Sequence, residues 1–376
     1  MPSSTPDTTL GTTRVGDLDT PALLIDLDIM ERNLTRVAAY ARQHDLRVRP
    51  HTKSHKIPAL GRMQISHGAA GLTVAKVGEA EVMLSADPED LLVAYPVIGR
   101  RKLELLMQVA AKTNLTIALD SLFAARQLSD AAREVQREIA VLAEVDVGLG
   151  RVGVLPGRPL LDLAHGIARL PWLRFEGITF YPGHIKLLDE DGRKALDQLS
   201  TALSGMLRDL RQAGLTVKIV SGGSTPTLWN SHEIAELNEI RPGTYIFNDR
   251  NTFLSEACTM EDCAASILTT VVSTAKKGQL IIDGGSKTFS SDRPVAGSEV
   301  SFGHVVEAPD AVFSKMNEEH GFVDIRRASH DFSVGDRLRV IPNHICVAMN
   351  VHETVYGIRG DTVEQAWRVE GRGKLQ

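Results

Sequence analysis

The chain has 376 residues, 43% hydrophobic and 24% charged, with 42 Lys and Arg against 47 Asp and Glu and a net charge of −5. Disordered and fibrous classes are excluded by that composition, and the scattered basic residues argue against nucleic acid or an anionic membrane as a partner. No apolar run approaches the ~20 residues a bilayer span needs, and three cysteines (Cys258, Cys263 and Cys346) suit a reducing cytoplasm better than a disulfide framework.

In chain order, residues 1–15 are polar and lack the basic-then-apolar order of a secretory signal, so residues 1–20 are expected to be a leader, possibly ending in a first strand of a β domain. Short apolar runs then recur at 22–27, 46–48, 71–75, 91–95, 115–119, 141–146, 175–181 and 217–221. Longer amphipathic stretches lie between them, at 29–44, 101–113, 121–135 and 192–213. In the last, Leu196, Leu199, Leu203, Leu207 and Leu210 share one helical face. Strand then helix, eight times over, predicts a parallel (β/α)8 barrel over residues 21–260. An open doubly wound sheet, or a count wrong by one strand, are the alternatives. Beyond residue 260 the texture changes to strand-like runs at 266–272, 279–283 and 336–341, set apart by turns such as Lys277-Gly278 and Val334-Gly335-Asp336. Residues 261–376 are therefore expected to form a second, mostly β domain.

The chemically unusual residues follow the apolar runs. They are Arg49-Pro50-His51-Thr52-Lys53-Ser54-His55-Lys56, Lys76, Asp120, Gly148-Leu149-Gly150-Arg151, Tyr181 with Gly183 and His184, and Ser221-Gly222-Gly223-Ser224-Thr225. In a barrel those points gather at the C-terminal mouth, where active sites are built. Lys53 is the sharpest candidate. Crowding by Arg49, His51, His55 and Lys56 disfavours its cation and prepares it for Schiff-base chemistry with an aldehyde. A solvated basic loop is the alternative. Gly222-Gly223-Ser224-Thr225 and Arg241-Pro242-Gly243-Thr244-Tyr245 are glycine and hydroxyl turns able to receive a phosphate. Gly148-Leu149-Gly150 lacks the third glycine of a dinucleotide fingerprint. His344 and Cys346, two apart on an expected strand, would point to one face and could share a metal; a buried cysteine beside a satisfied histidine is the alternative. His232, His304, His320 and His352 show no comparable spacing, although the polar setting of His320 draws notice, and Cys258 and Cys263 read as core or surface thiols.

The ordered set Arg49-Pro50-His51-Thr52-Lys53, Gly222-Gly223-Ser224-Thr225-Pro226, Arg241-Pro242-Gly243-Thr244-Tyr245, Glu319-His320-Gly321 and Pro342-Asn343-His344-Ile345-Cys346 resembles the D-threonine aldolase and eukaryotic-type D-serine dehydratase family. These are pyridoxal-phosphate (PLP) enzymes of the alanine-racemase fold type, and the resemblance runs from about Asp19 to the C-terminus. It implies that Lys53 bonds covalently to PLP and that Ser224, Thr225, Gly243 and Tyr245 hold the phosphate. It places Arg151 against the pyridine nitrogen and Tyr181 along the cofactor, and gives His344 and Cys346 a divalent metal (Mn, Zn, Mg or Co) beside the substrate. A homodimer and a small D-3-hydroxy amino acid substrate are implied as well.

Two reactions are open: retro-aldol cleavage to glycine and an aldehyde, and β-elimination to a keto acid and ammonia. The aldolase is favoured narrowly. Aldolases of the family carry His-x-Asp where this chain has His344-x-Cys346, as dehydratases do, and Gly223-Ser224-Thr225-Pro226 also leans that way. Yet Tyr181-Pro182-Gly183-His184 lacks the dehydratases' His-Ala-Gly, and Lys186-Leu187 stands where aldolases carry a histidine, leaving His184 as the candidate base for the substrate hydroxyl. A metal-independent racemase and a non-catalytic PLP-binding barrel are the remaining alternatives; the β-rich C-terminal third counts against the second.

Overall fold

The computed structural model describes residues 13–297 and 300–376. Residues 1–12 of the expected leader lie outside the described residues. In chain order, β1 (Ala22–Asp26) and α1 (Leu27–Gln43) lead to β2 (Arg47–Val48), α2 (Pro58–Ser66), β3 (Leu72–Val74), α3 (Val77–Met83) and β4 (Asp90–Val93). Next come α4 (Arg100–Ala110), β5 (Asn114–Leu119), α5 (Leu122–Glu134), β6 (Ile139–Val145), α6 (Arg158–Arg169), β7 (Leu173–Phe180), α7 (Glu190–Gln212), β8 (Ile219–Gly222), β9 (Glu239–Ile240) and α8 (Arg250–Leu254). The rest is β10 (Ala265–Ser273), β11 (Gln279–Ile282), β12 (Gly303–Val305), β13 (Val312–Met316), β14 (Gly321–Asp324), β15 (Arg337–Pro342), α9 (Ile345–Val351), β16 (Thr354–Arg359) and β17 (Thr362–Arg368).

The chain falls into two compact units. One is Arg36–Gly243 with Gly373–Gln376; the other takes the described residues up to Thr35 and those of Thr244–Arg372. The first unit holds eight parallel strands in the order β2-β9-β8-β7-β6-β5-β4-β3. A parallel bridge between His51 and Thr73 closes the ring, supported by hydrogen bonds from Ala70 N to Val48 O and from Thr73 N to Pro50 O, each 2.8 Å. A parallel sheet covered by helices needs strands buried on both faces, and β6 is buried along its whole length. The five predicted leucines of α7 are all buried, each contributing about 1.5–3 kcal/mol. Asp189 caps that helix by accepting from Gly192 N at 3.0 Å.

The barrel has the expected number of strands but not the expected set. The run at 22–27 pairs instead with β10 and β16 in the second unit. The missing eighth strand is β9, only two residues long, held between β8 and β2. The division therefore falls inside α1 and at residue 243 rather than at residues 21 and 260.

The second unit is built on a sheet ordered β13-β14-β11-β10-β1-β16-β17, with β15 pairing both β10 and β12. The β1–β16 pair is parallel and the others are antiparallel. The described end of the leader joins its edge without forming a strand: Arg14 bridges Thr362, and Val363 N donates to Thr13 O at 2.9 Å. Among the described residues no helix is long and apolar enough to cross a membrane.

Candidate active site

Lys53 lies in a 3-10 turn, Thr52–Ser54, just past β2. The turn is fixed from several sides. His51 N donates to Pro242 O at 3.0 Å, and the Ser54 hydroxyl lies 2.8 Å from Gly243 O and 3.0 Å from His51 O. The fit is close, since a Cβ on Gly243 would stand 3.1 Å from His51 O. Lys53 is half-buried, and its Nζ stands 6.0 Å from the centroid of the Tyr181 ring. The Arg151 guanidinium packs on the same ring at 4.9 Å. Gly183 makes room for that ring, because a Cβ there would stand 2.3 Å from it. Lys53, Arg151 and Tyr181, distant in sequence, are thus brought together.

The basic run around Lys53 is not a solvated loop. Arg49 is fully buried, with Nη1 3.0 Å from Asp90 and Nη2 3.0 Å from Glu239. Lys56 is buried against Glu79 at 3.2 Å. His55 is buried beside Gln64, at 3.2 Å, and burial pushes its pKa down to about 4. The neighbours expected to crowd Lys53 are therefore largely engaged elsewhere. Burial, reinforced by the nearby cations Lys53, Arg241 and Arg151, holds the His51 imidazole well below its usual pKa.

Ser224 and Thr225 follow β8 and are both buried. Gly222 allows the strand to pass the Phe180 ring, which a Cβ would approach to 2.3 Å, and Gly223 takes φ +85°. The Ser224 and Thr227 hydroxyls are 3.1 Å apart. By contrast, the Gly148-Leu149-Gly150 turn is filled by its own carboxylate. Asp146 accepts from Gly148 N at 3.0 Å and from Gly150 N at 3.1 Å, and these bonds hold its carboxyl below the usual pKa. His184 is exposed, and its ring lies over Gly148, 3.2 Å from where a Cβ would be.

In the other unit, Tyr245 is buried in a 3-10 turn, Thr244–Ile246. His344 and Cys346 are not on a strand. His344 precedes α9 with extended backbone and Cys346 lies in the helix's first turn. The two side chains meet all the same, because the chain turns between them. The Cys346 thiolate charge pushes the His344 pKa up to about 11, against burial and with help from Asp249. Asp249 is almost wholly buried and ties two helix starts together. One of its oxygens accepts from Thr252 N at 2.8 Å and Thr252 Oγ1 at 2.7 Å; the other takes Ile345 N and His344 Nδ1, each at 3.1 Å. A carboxylate on Nδ1 leaves Nε2 to face a ligand. Asp249 is a site residue that spacing did not flag; an acidic residue three before a threonine at a helix start is the available signal. Among the described residues no group of three or more His, Cys, Asp or Glu side chains could hold a metal.

Comparison with known proteins gives the family. The family described as "Alanine racemase, N-terminal domain" matches residues 25–251, and "Putative serine dehydratase domain" matches residues 264–358. A D-threonine aldolase from Arthrobacter sp is 30% identical over 361 residues, covering 95% of this chain and 93% of that protein. The chain belongs to the D-threonine aldolase and D-serine dehydratase family. Another relative in this family, D-threo-3-hydroxyaspartate dehydratase from Delftia sp. (strain HT23), is 31% identical, covering 93% of this chain and 97% of that protein. The crystal structure of D-threonine aldolase from Filomicrobium marinum superimposes with a TM-score of 0.92 at 30% identity, covering 98% of this chain and all of that one. The fold is thus alanine-racemase-like, and members of the family are lyases.

The family implies PLP, and the barrel residues fit it. A half-buried lysine faces a tyrosine ring, and buried hydroxyls follow β8 beside a glycine at φ +85°. The donor set at His344 and Cys346, an imidazole oriented by a buried carboxylate beside a thiol, fits a divalent ion that takes its remaining ligands from water or substrate.

Proposed function

We propose that this chain is a PLP- and divalent-metal-dependent lyase of D-3-hydroxy amino acids, acting as a D-threonine aldolase that releases glycine and an aldehyde. The observation that carries this reading is Lys53, half-buried at the barrel mouth and sharing the Tyr181 ring with Arg151, in a chain whose family includes such aldolases. When bound, PLP supplies an electron sink, and the metal lowers the pKa of the substrate hydroxyl. This chain's residues do the rest. Lys53 Nζ anchors the cofactor and carries protons at the substrate Cα. Ser224, Thr225, Gly243 and Tyr245 take the phosphate, Arg151 faces the pyridine nitrogen, and Tyr181 lines the ring. His344 and Cys346 take the metal, and His184 removes the hydroxyl proton. The working protein is a cytoplasmic homodimer.

One observation favours dehydration as the second reading: the metal pair ends in Cys346 rather than aspartate, and a relative is a D-threo-3-hydroxyaspartate dehydratase. The deciding experiment supplies D-threonine to the PLP-loaded protein with and without EDTA. Glycine with acetaldehyde supports the aldolase, and 2-oxobutanoate with ammonia supports the dehydratase. EDTA-insensitive loss of chirality, with neither product pair, would point to a racemase and overturn both.

A further inference from the structure

Glu144 is a charged residue in an otherwise apolar strand, Ile-Ala-Val-Leu-Ala-Glu-Val. Its Cα pairs with Thr179, Thr179 pairs with Ser221, and Ser221 pairs with Glu239. The four form one polar row around the barrel, and all are buried. One half of the row is paired. The Ser221 hydroxyl donates to Glu239 Oε1 at 2.7 Å, and Glu239 Oε2 meets Arg49. Glu239 Oε2 has that ion pair but no hydrogen bond, and in the other half Glu144 Oε2, Thr179 Oγ1 and the Nε of Arg241 are likewise buried without a hydrogen-bond partner. Arg241 is otherwise anchored by donating from Nη2 to Phe180 O at 2.9 Å.

A buried carboxylate is costly unless charge compensates it. The charged groups acting on Glu144 are Arg241 and Arg151, which attract, and Asp120, which repels; burial pushes its carboxyl pKa up against the two arginines. Tyr181 lies two residues past Thr179, just beyond the end of β7, and Arg151 packs on its ring. Buried polar atoms without hydrogen-bond partners on and beside neighbouring strands suit a network that tightens only when the site is loaded.

We propose that Glu144 is a positioning residue: carried on a rigid strand, its carboxylate supplies a buried counter-charge that would set Arg241 and Arg151 when the cofactor binds at the mouth. This rests on the functional reading above but adds a residue to which that reading gives no role. Glu144 touches neither substrate nor cofactor in this scheme and acts through the arginines.

The test strips cofactor from wild type, Glu144→Gln, Glu144→Asp and Lys53→Ala, then titrates each with pyridoxal phosphate. Affinity is followed by quenching of intrinsic fluorescence, the visible band is recorded, and cofactor-free melting is measured alongside. Glu144→Gln keeps the volume and loses the charge. It is expected to colour yellow, with the band displaced from the wild-type position and the dissociation constant raised about tenfold or more. Glu144→Asp withdraws the carboxylate by one methylene and is expected to show a smaller rise. A purely structural role would lower the melting temperature and leave the band where it is. Wild-type affinity and band in Glu144→Gln would overturn the inference; if that variant does not fold, wild-type values in Glu144→Asp do so. A wild-type protein that takes up no pyridoxal phosphate, like Lys53→Ala, removes the functional reading and this inference with it. Uptake by wild type with an indistinguishable Glu144→Gln removes the inference alone.

Discussion

Arg49 offers a sharp physical test, because its two partners differ in what they lose without it. Arg49 and Glu239 are both fully buried, whereas the Asp90 side chain keeps 26% exposure. Glu239 Oε1 retains the Ser221 hydroxyl, but Oε2 has only the guanidinium. Replacing Arg49 by Met fills most of the volume and leaves a buried carboxylate without a counter-charge. The expected loss is about 3–5 kcal/mol. Asp90 is partly exposed, and burial already pushes its pKa up despite Arg49, so Asp90→Asn, which leaves Arg49 paired with Glu239, should cost less than Arg49→Met. Arg49→Met with Glu239→Leu removes the stranded charge and should recover most of the loss. Urea unfolding followed by far-ultraviolet circular dichroism, at neutral pH and without cofactor, gives all three values. The reasoning is wrong if Arg49→Met costs no more than Asp90→Asn, or if the double variant is less stable than Arg49→Met alone.

Three further outcomes are expected. Lys53→Ala should bind no cofactor covalently and lose all turnover; a yellow, active variant contradicts the assignment. Cys346→Ala should keep the colour of the PLP-loaded protein while its activity becomes indifferent to added Mn2+ or to EDTA; unchanged metal dependence would remove Cys346 from the metal pair. His55 gives a stability effect with a defined sign. Its folded pKa is about 4, below the ordinary 6.5, so the unfolded chain binds the extra proton between those values. The stability from keeping His55 neutral is therefore complete above pH 6.5 and is lost as pH falls towards 4, by up to about 3 kcal/mol. The stability gap between wild type and His55→Gln, which cannot titrate, should shift by that amount across the window; a gap independent of pH contradicts the burial argument.

Local pattern carried the barrel as far as local pattern can. The α7 leucines and the apolar β6 run are legible because a helical face and a strand buried on both sides leave their marks within one segment. The partner of a strand leaves no such mark. Residues 22–26 read the same whether they pair inside a barrel or, as they do, with residues 265–268 and 355–358. Glu239–Ile240 is too short to show any period, and its membership comes only from β8 and β2 on either side. The site divides in the same way. Lys53, Arg151 and Tyr181 were legible as odd residues after apolar runs, since a barrel collects strand ends whichever strand is which. His344 and Cys346 were found for the wrong geometric reason. The strand rule that joined them fails at a helix start, yet a chain turning out of extended backbone also brings neighbours two apart into contact. Asp249 and Glu144 escaped because what marks each is its place in a buried network, and Arg241 was legible only as the start of a candidate phosphate turn, not for its buried Nε. Each acid left a trace: Asp249 as an acidic residue three before a threonine at a helix start, Glu144 as a single carboxylate among aliphatic residues. A charge that an apolar strand carries at such cost is the kind of residue a site retains.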